Sequence, residues 1–158
     1  MSSQQSFSEA VAMITARIGG RALDAELQSF LDENFPSGGE AFDDLATLCR
    51  QGIDEGWLCD REYGGVRFGR IIKPGPETHG FSVDVVQMEN LAGPYHGHPN
   101  GEIDMIIPES RDAKFDGQGQ GWRVYPAESG HYPTVTDGKA IILYLLPDGE
   151  IDFTRTAS

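Results

Sequence analysis

The side chains best suited to chemistry lie in one short stretch, Gly93-Pro-Tyr-His96-Gly-His98-Pro-Asn-Gly-Glu102-Ile-Asp104. Side chains alternate along an extended strand, so His96 and His98 point to the same side. Two imidazoles on one side can chelate a single ion, and imidazole is the commonest metal ligand in proteins. The Pro99-Asn100-Gly101 turn lets the chain fold back and bring the Glu102 carboxylate to the same point. A fourth candidate is His131, which follows a strand-like run ending at Tyr125. Three neutral imidazoles and one carboxylate leave positions open on a five- or six-coordinate divalent ion. Fe, Mn, Ni, Co and Zn all suit such a donor set, which does not choose among them. His79 lies in a Gly/Pro-rich loop and reads as a surface residue. Asp104 shares the strand parity of Glu102 and reads slightly better as a hydrogen-bonded strand residue than as a second site carboxylate.

The elements that must hold these groups divide unevenly along the 158 residues. Residues 64–158 contain eight of the nine prolines, 14 of the 20 glycines and all four histidines. Such punctuation predicts many short strands, hence a β-sandwich or barrel. The expected strands are Trp57–Cys59, Val66–Ile72, Phe81–Met88, Glu102–Ile107, Gly121–Tyr125, Lys139–Leu146 and Ile151–Arg155. Residues 1–63 read as a separate helical region. Phe7, Val11, Ile14 and Ile18 share one helix face, opened by the capping box Ser6-x-x-Glu9 and stopped by Gly19-Gly20. Leu23, Leu27, Phe30 and Leu31 mark a second helix. Phe42, Leu45, Leu48 and Cys49 mark a third, opening at Ser37-Gly-Gly-Glu40 and ending between Gly52 and Gly56.

Charge narrows the function. Twelve basic residues against 25 acidic ones give −13, which disfavours nucleic acids and anionic membranes as partners. Three helices and a hairpin outline a winged helix, but residues 1–63 hold four basic and twelve acidic residues, a net of −8. A helical layer that covers one side or edge of a sheet, or mediates a dimer, is the better reading of that region. There is no apolar run of membrane-spanning length and no signal-peptide pattern, and two cysteines make no disulfide framework. A cytoplasmic protein is expected, and a homo-oligomer is the prior for a small barrel with exposed sheet edges.

His-x-His-x3-Glu followed by Pro-x4-His resembles the two metal-binding motifs of the cupin superfamily, small jelly-roll β-barrels. The resemblance implies an α+β chain, N-terminal helices followed by a cupin-like barrel over 64–158, with His96, His98, Glu102 and His131 binding one metal ion. Where the cupin motifs usually have glycine at 90, 109 and 128 and asparagine at 135, this chain has Asn90, Glu109, Glu128 and Val135. Those departures bear on loop shape and strand length more than on ligand identity.

A narrower resemblance covers most of the chain. It is carried by Gly56-Trp-Leu58, Gly64-Gly-Val-Arg-Phe-Gly-Arg70, the block 93–104, Phe115-Asp-Gly117, Gly121-Trp-Arg-Val-Tyr-Pro126, His131-Tyr-Pro-Thr-Val135 and Leu143-Tyr-Leu-Leu-Pro-Asp-Gly149. Together these are similar to the 4-hydroxylaminobenzoate lyases, which implies conversion of that substrate to protocatechuate (3,4-dihydroxybenzoate) with release of ammonia. Hydroxide leaves nitrogen, water adds to the neighbouring ring carbon, and a second water hydrolyses the imine. No net redox occurs, so no nucleotide cofactor is expected, and no Gly-x-Gly-x-x-Gly fingerprint is present. Under this reading Glu102, His98 and His131 are the candidate acid–base groups. The substrate carboxylate calls for a cation from Arg67, Arg70 or Arg123, since guanidinium matches carboxylate bidentately. Tyr95 is a candidate for contact with the ring. The competing readings are a metal-dependent cupin dioxygenase or isomerase acting on another small anion, and a non-catalytic cupin that binds a small ligand.

Overall fold

The computed structural model describes residues 1–154. Its first helix, α1 (Ser3–Ile18), starts earlier than the Ser6-x-x-Glu9 pattern predicts, because Ser2 and Gln5 form the reciprocal capping box instead. Asp24 caps α2 (Ala25–Asn34) through the Leu27 amide, and α3 (Glu40–Glu55) ends on Gly56 in the left-handed conformation, at φ 87°. The predicted faces are the buried ones: Phe7, Val11, Ile14 and Ile18 on α1, and Phe42, Leu45 and Cys49 on α3.

The strands are β1 (Arg61–Tyr63), β2 (Val66–Ile72), β3 (Phe81–Ala92), β4 (His96–His98), β5 (Glu102–Pro108), β6 (Lys114–Phe115), β7 (Gly121–Tyr125), β8 (Ser129–His131) and β9 (Thr134–Pro147). Antiparallel pairing gives the order β1-β2-β3-β9-β5-β7, with β6 also on β9, while β4 and β8 form a two-stranded sheet facing it. The chain is thus α+β, three helices followed by a cupin-like barrel.

Two expected strands are corrected. Trp57–Cys59 is not a strand: the Trp57 and Leu58 amides both donate to the Gly52 carbonyl at the end of α3, and Cys59 turns into the left-handed region at φ 54°. Ile151–Arg155 is not a strand over its described part. Asp152 alone makes an isolated bridge, to Gly97, and Arg155 lies outside the described residues.

The large sheet is buried on both faces. In β9, Ile141, Leu143 and Leu145 join the helices in one apolar core. Ala140, Ile142, Tyr144 and Leu146 point the other way, into the barrel. The first core therefore crosses residue 63 and ties the helices to the sheet. Trp122 of β7 is its largest fully buried side chain. It meets Phe42 edge to face at 5.8 Å and donates from Nε1 to the Phe35 carbonyl at 2.8 Å. Trp122→Ala removes that packing and orphans the carbonyl. It should cost about 3–5 kcal/mol of unfolding free energy, readable by urea denaturation. At the outer edge of β7, the Gln28 side chain takes the place of a neighbouring strand. Its amide nitrogen donates to Trp122 O at 2.8 Å, and its carbonyl accepts from Val124 N at 2.7 Å.

Candidate active site

β4 and β8 pair in register, His96 with His131 and His98 with Ser129, and Glu102 opens β5 just across the Gly101 turn. Gly101 is needed there, since its φ is 88° and a Cβ would come within 2.7 Å of the Tyr125 carbonyl. The three imidazoles and the carboxylate converge as the spacing predicts, each offering one ligand atom within 4.8 Å of the others. His96 Nε2 lies 3.1 Å from both Glu102 Oε1 and His131 Nε2. Glu102 Oε2 lies 3.4 Å from the Nε2 atoms of His98 and His131.

The outer ring nitrogens show which way these histidines face. Ser129 Oγ donates to the Pro126 carbonyl, so it accepts from His98 Nδ1 at 2.9 Å. His131 Nδ1 donates to Asp116 Oδ2 at 2.5 Å. Both rings therefore turn Nε2 inward, and a metal-bound neutral ring would present a lone pair there. His98 Nε2 and Glu102 Oε2 are buried without a hydrogen-bond partner among the described residues. Two orphaned donor atoms facing one point are what a bound cation would satisfy, so the residues present fit a metal. At the positions where cupin motifs usually have glycine, Asn90 and Glu128 adopt φ 45° and 65°. The turns keep their glycine-like backbone even though the side chains differ.

Charge in the cluster is finely set. Burial pushes the Glu102 carboxyl up, but the three histidines around it, led by His131, outweigh it and hold the group well below its ordinary range. Burial pushes His98 down. His131 is lowered by burial but raised more by Asp116 and Glu102, to about 9. Asp104, wholly buried on β5, is pushed well up by burial and then by the Glu102 charge. In metal-stripped protein the His131 proton stands where a cation would bind. A folded pKa above the unfolded value of about 6.5 gives stability that is complete below pH 6.5 and lost as pH rises through about 9. The metal-stripped protein should lose up to about 3 kcal/mol over that window, seen as a falling melting temperature, and metal should abolish the fall. A flat profile for the stripped protein would contradict this pairing.

His96 also lines a cavity of about 610 Å³. Its apolar walls include Phe68, Val86, Met88, Tyr144 and Phe153, and its charged groups are Arg61, Arg70 and Lys73 against Asp60 and Asp84. Of the three candidate arginines, Arg70 alone lines it. There Arg70 binds Asp84 bidentately, at 2.7 and 3.1 Å, and the Gly149 carbonyl at 3.2 Å. Arg67 is on the opposite face of β2, bound to Gln87. Arg123 is on the barrel face, over the Tyr125 ring and bonded to the Asp116 carbonyl, away from the cavity lining. Tyr95 packs on Tyr132 and over Gly130 instead of lining the cavity. Sequence reasoning missed Asp116, Arg61 and Lys73. The Phe115-Asp-Gly117 turn was a signal for Asp116; nothing in the pattern singled out the two cations.

Comparison with known proteins now bears on this site. Residues 9–153 match the family described as 4-hydroxylaminobenzoate lyase (PnbB). The chain belongs to the 4-hydroxylaminobenzoate lyase family. It is 32% identical over 155 residues to a 4-hydroxylaminobenzoate lyase of Pseudomonas putida, covering 87% of this chain and 88% of that one. It is 31% identical over 165 residues to the enzyme so named from Nocardioides sp. (strain LMS-CY), covering 99% and 98%. Among solved structures it partly matches an RmlC-like cupin protein of Ralstonia eutropha JMP134, with TM-score 0.43, 17% identity and 60% and 63% of the two chains covered. The DMSP lyase DddQ of Ruegeria pomeroyi DSS-3 gives TM-score 0.42, 19% identity and 56% and 51% covered. Among the described residues, no helix is long and apolar enough to cross a membrane.

Proposed function

We propose that this member of the family is itself a 4-hydroxylaminobenzoate lyase, forming protocatechuate and ammonia from 4-hydroxylaminobenzoate and water. The observation that carries the reading is the junction of a buried three-histidine, one-glutamate cluster with a cavity that is apolar in its walls and cationic in part of its lining. The small aromatic carboxylate that the relatives' name specifies matches that cavity chemically. Its ring suits Phe68, Val86 and Met88, and its carboxylate suits Arg70 and Lys73.

His96, His98, Glu102 and His131 would hold one divalent metal, which when bound supplies Lewis acidity toward the hydroxylamino oxygen or the attacking water. The chain's own groups do the rest. Asp116 fixes the His131 ring, and Ser129 fixes His98. Glu102 supplies the one carboxylate of the cluster. Arg70, aligned by Asp84, holds the far end of the substrate. The apolar walls limit water at the ring, which favours the ordered capture that a catechol product requires.

The test is purified protein with 4-hydroxylaminobenzoate and no added nucleotide, following ammonia and catechol together. Equimolar release without oxygen supports the lyase. Strict dependence on oxygen would point to a dioxygenase. Binding of aromatic acids without turnover would point to a ligand-binding cupin.

A further inference from the structure

The short segment after β9 is bound to the metal-ligand strand itself. Gly97, between His96 and His98, exchanges two backbone hydrogen bonds with Asp152: Gly97 N to Asp152 O at 2.7 Å and Asp152 N to Gly97 O at 2.9 Å. Thr154 bonds back to Asp152 through both its amide and its hydroxyl, tightening the turn beyond. The bridge sets Phe153 beside His96, with ring centroids 5.5 Å apart and planes at 61°. Ile151 anchors the near side against the barrel core.

Phe153 lines the cavity yet is 59% exposed. A phenyl ring held by a backbone bridge at a ligand histidine, with most of its surface uncovered, offers a face for another ring. We infer that Phe153 is a substrate-positioning residue, its ring packing on the aryl ring of an aromatic carboxylate and directing that molecule's polar substituent toward His96. This rests on the proposed lyase reading and names the wall that recognises the ring. Removing one ring of an aromatic pair takes away both its burial and its ring–ring attraction, a loss read as about a tenfold weaker affinity.

The experiment compares wild type with Phe153→Ala and Phe153→Tyr. It uses turnover of 4-hydroxylaminobenzoate, metal content, and titration with the unreactive probe 4-hydroxybenzoate. Phe153→Ala should raise KM and weaken probe binding about tenfold, with kcat within about threefold and metal content unchanged. Phe153→Tyr should restore both to near wild type. Unchanged KM and probe affinity in the alanine variant would overturn the inference while leaving the lyase reading intact. Loss of metal from that variant would overturn it too, by showing that Phe153 serves only to hold His96. If wild type binds the probe but does not turn over the substrate, the lyase reading fails, and tenfold weaker probe binding by Phe153→Ala still supports the ring contact. If wild type does not bind the probe, the inference fails.

Discussion

Glu102→Gln should strip the protein of metal and lower kcat/KM by about 10²–10⁴-fold, the range associated with losing a positioned acid–base group. The change keeps the shape of the side chain and removes only its charge. Glu102 is fully buried and contacts all three histidines, at 3.1, 3.4 and 3.4 Å, so no other carboxylate can replace it there without moving β5. Without its charge, a cation in the cluster would meet three imidazoles, one of them competing for a proton. Elemental analysis and the ammonia assay read the two losses separately. A variant that retained both metal and turnover would remove Glu102 from the site. A variant that retained metal but lost turnover would leave it a proton-transfer role beside a three-histidine centre.

The second large effect is expected from a residue that touches no substrate. Asp116→Asn should lower metal affinity or kcat/KM by about 10–100-fold, the usual consequence of losing the partner that orients a ligand histidine. Asp116 receives His131 Nδ1, the Tyr125 hydroxyl and the Thr134 amide at once. Burial pushes its carboxyl up, but these bonds, led by His131, outweigh it and keep it ionised. It occupies the left-handed region at φ 49°, which Asn tolerates, so the turn should survive the substitution. An amide cannot serve three donors as a carboxylate does. One is left unpaired or His131 rotates. The high His131 pKa should fall toward its ordinary value, and the pH-dependent loss of stability in metal-stripped protein should shrink with it. That second readout separates orientation of the histidine from mere damage to the fold. A variant with full activity and an unaltered pH profile would contradict the assignment.

Three of the four candidate ligands were legible because their positions are set locally, two on one short strand and one across a three-residue turn; His131 was legible through the Pro-x4-His resemblance, since it meets the others only when β8 pairs with β4. The faces of α1 and α3 were legible for the same reason, since 3.6-residue periodicity is a local property. Asp116 was not, because it reaches His131 only after β6 pairs with β9, Lys114 opposite Thr136, and no spacing encodes that register. The choice among the arginines was open for a different reason. The opposite parity of Arg67 and Arg70 is readable in β2, but which face meets the cavity depends on how β2 aligns with β3, including an irregularity between Arg70 and Ile72. Trp57–Cys59 has strand-like composition, and the C-terminal hydrogen bonds of α3 took its backbone first.

Gln28 has a consequence for how the chain is made. Its side-chain amide covers the edge of β7, 94 and 96 residues further along the sequence. During synthesis the helix that carries Gln28 leaves the ribosome long before β7 does. An open strand edge is the template on which nascent chains pair with one another, and here its cover is already present when the strand emerges. The order of the chain, helices before barrel, thus has the cover for this one edge synthesised before the strand it covers.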